Sequence, residues 1–364
     1  MHAIAVHPGK PGTIRVERPE PTINAETDVV VEVVEVGVCG TDREEVSGGR
    51  ADAPQGSDEL VIGHEMRGRV VEAGKGVTDL HTGDDVVLTV RRSCDHCPMC
   101  NAGRPDYCQS GGYTERGIRG RDGYQCERVV DDRANIIAVG ASVAGVAALA
   151  EPTSVAEKAI TESILIQRAR LPTYEEVGKR ALVAGIGPVG LLAGMALCLR
   201  GMQVTGMDIV DDTANRVQAL TAMGGRYIDG RQVKASDLDD QHGGPFDLIL
   251  DATGASSIEI NLIDALATNG IYVLTGIPSG GREIPVAAGD LLRQLVLGNQ
   301  LILGSVNASH EHFQLAIRDL ELATARWPGV IEGFITARHR PEDFEQAFGK
   351  PADSDIKTVI TWKT

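Results

Sequence analysis

The sequence predicts an α/β protein built on a doubly wound parallel sheet, with a β-rich region ahead of it. Three observations carry that expectation. The apolar run from Ala181 to Ile186 opens into glycine-spaced residues and then a helical pattern. Strand-length apolar runs and helical segments then alternate to about Ala267, as a doubly wound sheet requires. Residues 1 to about 35 carry valine-rich runs between Pro and Gly signals, the mark of β-structure.

The central stretch gives the clearest reading. Ala181–Ile186 is a buried strand, Gly185-x-Gly187-x-x-Gly190 a tight turn into a helix, and Gln203–Met207 a second strand closed by Asp208. Strand, glycines, helix and an acid about 20 residues on form a dinucleotide fingerprint. Gly185 permits the turn, Gly187 lets backbone amides approach a pyrophosphate, and Gly190 lets helix and strand pack closely. The helix N-terminus adds N–H donors and positive dipole for the phosphates.

Composition narrows the class. The chain has 364 residues, enough for about two domains. Its 35 basic and 51 acidic residues leave a net charge of −16, which argues against nucleic acid or an anionic membrane as partner. The N-terminal residues have no basic region and too short an apolar segment for a signal peptide to be expected. The long uncharged run from Ala181 to Leu199 is explained by the fingerprint rather than by a membrane span. Seven cysteines, four of them clustered, fit a reducing compartment and a metal site. A cytoplasmic enzyme is expected.

Taken in order, Ile4–Val6, Ile14–Val16 and Val29–Val36 are predicted strands, followed by Cys39-Gly-Thr41-Asp42 at a turn. Gly63-His64-Glu65 comes next, with strands around Gly68–Glu72 and Val86–Val90. Cys39, His64 and Glu65 offer a thiolate, an imidazole and a carboxylate, the chemistry of a catalytic zinc site. Beside a dinucleotide fold that set gains weight, because alcohol oxidation needs a Lewis acid near the hydride acceptor. Cys94-x2-Cys97-x2-Cys100-x7-Cys108 supplies four thiolates for a closed tetrahedral site. Structural zinc is favoured there; the rival, an iron–sulfur cluster, has a shorter last gap followed by proline, whereas Gln109 follows here. His96 is expected in solvent, and Cys126 and Cys198 are expected to be inert fillers.

Thr153 to Gln167 is predicted to be an amphipathic helix. Val210–Met223, Phe246–Ala252 and Ser256–Ala267 continue the alternation, and Asp251–Gly254 and Thr275–Pro278 fall at strand ends where ligands sit in open sheets. Ser309 is expected to cap a helix through Ala323, with His310 and His312 on its surface. A last helix (Pro341–Phe348) and strand (Ile356–Trp362) return to the first domain.

Cys39-Gly-Thr-Asp42, Gly63-His-Glu65, the four-cysteine lobe, Glu151-Pro152 and Gly185-x-Gly-x-x-Gly190 occur in the order of the zinc-dependent medium-chain dehydrogenases. Cys39–Glu44, Val90–Arg92, Glu115–Ile118, Ala150–Pro152, Gly304–Asn307 and Ile356–Thr358 resemble the archaeal type of glucose 1-dehydrogenase in particular. The resemblance implies a Rossmann doubly wound sheet, residues 153–304, inserted in a β-rich GroES-like catalytic domain, residues 1–152 and 305–364. It implies that Cys39, His64 and Glu65 ligate a catalytic zinc, with Glu151 as fourth ligand or partner of zinc-bound water. Thr41 would relay the substrate proton and Asp42 would orient His64. Thr41, Thr89, Glu115, Glu151 and Asn307 resemble positions that meet a sugar. Cofactor contacts would come from Gly185, Gly187, Pro188, Val189, Gly190, Asp208, Thr253, Thr275, Gly276, Ser305 and Asn307. Arg91 and Arg92 are expected to be solvated or ion-paired.

The expected activity is hydride transfer from an aldose C1 hydroxyl, glucose above others, to a nicotinamide cofactor, giving a lactone. Two zinc ions per subunit are expected. The acids Asp208, Asp211 and Asp212 follow the second strand, so NAD is expected over NADP. A dimer or tetramer is usual for the family. Another polyol, a cyclitol or a sugar intermediate of secondary metabolism remains an alternative substrate. A redox-silent nucleotide-binding protein is the other alternative, and the joint presence of Cys39, Thr41, His64 and Glu65 argues against it.

Overall fold

A computed structural model describes residues 1–364 apart from 234–236, 239–242, 279–282, 353 and 364. The chain divides into two compact units. One is Met1–Ser154 with Asn307–Ala325 and Ile331–Thr364; the other is Val155–Val306 with Arg326–Val330.

The second unit holds a six-stranded parallel sheet. Its spatial order is Arg226–Asp229, Gln203–Asp208, Arg180–Ala184, Phe246–Asp251, Leu266–Leu274 and Leu301–Gly304. Numbered along the chain that is the order 3-2-1-4-5-6 of a dinucleotide-binding sheet, reversing direction between the first and fourth strands. Ala181 to Ala184 and Leu248 to Leu250 are fully buried, as central strands of a parallel sheet covered on both faces must be. The fingerprint is built as the glycines require. Gly185 has φ +80°, and a β-carbon at Gly190 would overlap the Gly185 carbonyl oxygen. Gly187 caps the helix Pro188–Leu199 and faces open space, with Pro at the first helical position, where its missing N–H costs nothing.

The first unit is β-rich. Asp28–Val38 lies in a seven-stranded sheet between Glu65–Ala73 and Lys357–Thr361, antiparallel to both. Alternate valines of Asp28–Val38 join Met66, Val70, Val86 and Tyr124 in its core. Smaller three-stranded sheets are formed by Ile14–Glu17, His2–Val6 and Leu60–Val61, and by Arg91–Arg92, Thr114–Arg116 and Gly120–Arg121.

Two expectations are corrected here. The helix expected to be amphipathic runs Ala150–Arg170, and it buries polar as well as apolar residues. The buried long polar side chains find partners: Glu157 receives Arg200 at 2.6 Å, Lys158 donates to the Val306 carbonyl at 3.0 Å, and Gln167 donates to the Asn269 carbonyl at 2.8 Å. Pairing removes the cost that would otherwise keep them on a wet face. The helix after Ser309 runs His310–Arg326, and His312 is buried rather than on the surface. Its Nδ1 accepts from the Ser309 backbone N–H at 3.1 Å, so His312 takes the part usually played by Glu or Gln in a capping box.

Candidate active site

Three strand ends meet in the first unit. Register pairs Gly37 with Glu65 and Val38 with Thr358, so the C-terminal end of one strand lies beside the starts of two others. The chain then turns at Cys39 into the helix Gly40–Val46. Cys39 is the N-cap: its Sγ accepts from Thr41 N–H at 3.2 Å, and Asp42 Oδ2 accepts from Cys39 N–H at 2.7 Å. This reciprocal cap fixes the direction of the thiol. It faces His64, whose Nε2 lies 3.1 Å from Cys39 Sγ. The other ring nitrogen, Nδ1, is 3.6 Å from Asp42 Oδ1 and has no hydrogen-bond partner. Asp42 therefore acts on His64 mainly through charge.

Donor atoms of Cys39, His64 and Glu65 all lie within 4.8 Å of one another. Burial pushes the Cys39 thiol up, with the facing imidazole opposing it. Burial works to lower the pKa of His64, but the Cys39 and Asp42 charges prevail and raise it. A sulfur, a ring nitrogen and a carboxylate gathered on a buried spot form a donor set that suits zinc, and a divalent ion there would answer the clustered negative charge. Glu151 lies outside this set. Burial pushes its carboxyl up to about 7, opposed by His64 and reinforced by Glu65.

Glu65 has a partner that sequence reasoning missed. Lys357 Nζ donates to both its oxygens, at 2.6 and 2.5 Å, and both side chains are almost wholly buried. The signal was present, a lone lysine in the apolar strand Ile356–Ile360, although nothing in the sequence says which acid it meets. Gly37 is the second missed residue. A β-carbon there would overlap the Glu65 carboxylate, so the absence of a side chain at Gly37 makes room for the acid.

The four cysteines 94, 97, 100 and 108 are brought together, with all four sulfurs within 4.8 Å. Backbone N–H groups point at them: Cys97 N to Cys94 Sγ at 3.4 Å, Cys100 N to Cys97 Sγ at 3.4 Å, and Cys94 N to Cys100 Sγ at 3.5 Å. The Ser110 hydroxyl, aided by backbone donors, brings the Cys94 thiol down to about 5. Burial pushes Cys100 up to about 11, so it is the gathering of four sulfurs, with Cys94 held as thiolate, that fits a closed tetrahedral metal. His96 is exposed as expected, and burial pushes Cys126 up to about 12 and Cys198 up to about 11, which makes both inert.

A polar cluster forms around Glu115. Its Oε1 accepts from Arg91 Nε and Nη2 at 3.1 and 2.9 Å and from Asn307 Nδ2 at 2.8 Å. Asn307 sits in the left-handed region at φ +60°, where asparagine is tolerated. Arg91 and Arg92 are buried and ion-paired. Arg92 binds Asp131 at 2.7 Å and donates to Thr89 Oγ1 at 2.9 Å, so the Thr89 hydroxyl is tied to a structural arginine.

In the second unit a cavity of about 440 Å³ opens at the sheet's reversal point, lined by Gly185, Gly187, Asp208, Arg216, Thr253 and Ile258 among others. Asp208 Oδ2 accepts from Ile186 N–H at 2.9 Å, and Arg216 Nη1 stands 3.8 Å from the same oxygen. Pro188 and Val189 form the first turn of the helix behind the fingerprint. Thr275 and Gly276 are held by the Asp251 carbonyl, through Thr275 Oγ1 at 2.6 Å and the two amides at 2.9 and 3.1 Å. Ser305 is buried, its hydroxyl without a partner.

Two family descriptions match this chain. "Alcohol dehydrogenase GroES-like domain" covers residues 25–141 and "Glucose dehydrogenase C-terminus" covers residues 144–362. The chain belongs to the glucose dehydrogenase family. Among its relatives, the glucose 1-dehydrogenase of Thermoproteus tenax is 38% identical over the whole of both chains. That of Methanocella arvoryzae is 37% identical over 99% of each. Among solved structures, Haloferax mediterranei glucose dehydrogenase in complex with NADP, Zn and gluconolactone superposes with a TM-score of 0.89 at 32% identity, over 100% of each chain. Galactitol-1-phosphate dehydrogenase from Escherichia coli shares the fold, with a TM-score of 0.80 at 22% identity over 99% of this chain and 100% of that one. The family is that of zinc-dependent medium-chain dehydrogenases, and the two-part α/β architecture agrees with it. No helix among the described residues is long and apolar enough to cross a membrane.

Proposed function

We propose that this enzyme oxidises an aldose at C1, with glucose as substrate, to the lactone, using a nicotinamide dinucleotide. The observation that carries the reading is the convergence of Cys39, His64 and Glu65 donor atoms in a chain that also bears the dinucleotide cavity. The relatives named glucose 1-dehydrogenase, and the gluconolactone complex of one of them, support the choice of substrate.

Cys39, His64 and Glu65 would hold the catalytic zinc, and the four clustered cysteines a second, structural one. When bound, zinc supplies a Lewis acid that lowers the pKa of a hydroxyl, and the nicotinamide supplies a hydride acceptor. The oxidation removes a hydride from C1 and a proton from its hydroxyl. The Thr41 hydroxyl, next to the Cys39 cap, receives that proton and hands it on towards solvent. Asp42 orients the His64 imidazole from behind, and Lys357 compensates Glu65. Glu115, with Asn307, accepts hydrogen bonds from sugar hydroxyls, and Thr89 and Glu151 complete the polar lining. Asp208 receives the adenosine ribose hydroxyls, which favours NAD over NADP. The protein is active as a homo-oligomer.

The test is a panel of aldoses, polyols and cyclitols assayed with NAD and with NADP, with the product of the best substrate identified. Formation of gluconolactone from glucose is expected. Turnover of a cyclitol or open-chain polyol, with glucose ignored, would overturn the assignment.

A further inference from the structure

The four-cysteine lobe, residues 93–113, is the connection between the antiparallel strands Arg91–Arg92 and Thr114–Arg116. Register sets Arg91 directly opposite Glu115, so the two side chains leave the same face of the pair. Strands of two and three residues gain little stability of their own across so long a connection. The order of the lobe therefore governs the order of the pair.

Arg91 is the link. Its buried guanidinium donates from Nε and Nη2 to Glu115 Oε1 at 3.1 and 2.9 Å, and from Nη1 to the Asp106 carbonyl at 3.0 Å. It also lies over the Tyr113 ring, 3.9 Å from the centroid. Both of these further partners belong to the lobe: Asp106 is in the short helix Pro105–Tyr107 just ahead of Cys108, and Tyr113 immediately precedes the return strand. Each guanidinium nitrogen already donates within the protein, so Arg91 is committed to holding Glu115 rather than to meeting a ligand. The donors from Arg91 and from Asn307, at 2.8 Å, all fall on Oε1, and no donor among the described residues reaches Oε2. One oxygen anchors the carboxylate and the other is left to accept from a ligand hydroxyl.

We propose that Arg91 is a positioning residue for substrate: clamped by the Asp106 carbonyl and the Tyr113 ring, it carries the order of the four-cysteine lobe to Glu115 and so sets the sugar affinity of the site. The lobe then serves substrate grip as well as folding. A lysine cannot replace this arginine, because a single ammonium cannot fork between Glu115 and Asp106 while stacking on a ring.

The inference rests on Glu115 being the sugar acceptor, and the test separates the two ideas. KM and kcat for glucose are measured with zinc content for each variant. Arg91→Met is expected to raise KM about tenfold and Arg91→Lys about fivefold, with kcat held within about twofold, as loss of uniform binding requires. Tyr113→Leu leaves the buried ion pair intact, so its fold is not at risk, and should raise KM about threefold. In a Glu115→Ala background, Arg91→Met should add less than about twofold, because nothing remains to be positioned. Zinc content should match the wild type throughout. Wild-type KM in Arg91→Lys or in Tyr113→Leu, loss of zinc from either, or an undiminished Arg91→Met effect in the Glu115→Ala background overturns the proposal alone. Wild-type KM in Glu115→Ala overturns the sugar reading of Glu115 together with it.

Discussion

Lys357 Nζ reaches both oxygens of Glu65 from a strand that comes from the far end of the chain, joining residues 292 positions apart in one buried ion pair. The pair leaves Glu65 with lone pairs to spare for a metal while offsetting part of the negative charge around Cys39. Removing one member of such a pair strands the other.

Lys357→Met is therefore expected to cost about 3–5 kcal/mol of stability, the range for breaking a buried pair. Lys357→Met with Glu65→Leu should recover a large part of it, because no buried charge is then left unmatched. Denaturant unfolding of the wild type and both variants measures this. Equal losses in single and double variants would show that Glu65 does not depend on the lysine.

Metal content tests the two donor sets independently. Cys39→Ala should lower zinc from two ions to one per chain, and abolish activity while the far-ultraviolet circular dichroism is kept. Cys100→Ala should damage folding itself, since a closed thiolate site contributes folding energy directly. Elemental analysis of the two variants decides; iron, or one zinc in the wild type, would contradict the assignment.

These residues also mark what was legible in the sequence. Spacing announced the four cysteines within a single loop; Cys39, His64 and Glu65 were read from their donor chemistry beside the fingerprint, and Thr41 and Asp42 from the family resemblance of the two short motifs that carry them. The doubly wound sheet was legible because its central strands are continuous apolar runs and its first turn has a glycine at each position that backbone geometry demands. Lys357 and Gly37 were not legible as functional, because their roles arise from strand register, which no local pattern encodes. His312 was misjudged because a histidine in a first helical turn normally faces water, and here a backbone N–H at Ser309 recruits it inward. The polar face expected along Thr153–Gln167 failed for the same reason: partners distant in the chain supply its hydrogen bonds.

Glu115 is predicted to grip substrate. Replacement by Gln keeps an acceptor for Arg91 and Asn307 while removing the charge, and Glu115→Ala removes both. A charged hydrogen bond contributes about 1.5–3 kcal/mol, so Glu115→Ala should lower kcat/KM for glucose about 10- to 150-fold, with Glu115→Gln in between. Zinc content should be unchanged. Wild-type kcat/KM in both variants would make Glu115 purely structural.

Glu45 contributes to the pH response of the first unit. It is fully buried on the helix Gly40–Val46, and neither carboxylate oxygen has a hydrogen-bond partner. Burial, reinforced by Asp42, pushes its pKa up to about 9. The folded state thus keeps a proton that the unfolded chain releases near its ordinary value. The stabilisation is complete below about pH 4.5, declines across the interval above, and is gone once pH passes about 9. Glu45→Leu should raise Tm at pH 9 more than at pH 6. Parallel Tm profiles for variant and wild type would rule this out.

Cofactor choice turns on Asp208. Its Oδ2 is held by the Ile186 N–H, which belongs to the fingerprint turn, so the carboxylate is fixed in the cavity where the ribose of a dinucleotide lies in such folds. A 2′-phosphate would meet that charge at close range. Arg216 is already 3.8 Å from Asp208, and Arg231, another nearby cation among the described residues, is bound to Asp229 and Asp211 at 2.8 Å each. A preference for NAD of about tenfold or more in kcat/KM is expected, equivalent to about 1.4 kcal/mol. Asp208→Ser should erode it by weakening NAD and admitting NADP. The comparison matters because the Haloferax mediterranei relative was solved with NADP. Equal efficiency with both cofactors in the wild type would mean that Arg216 leaves Asp208 when the phosphate enters, and Arg216→Ala would then lose NADP activity selectively.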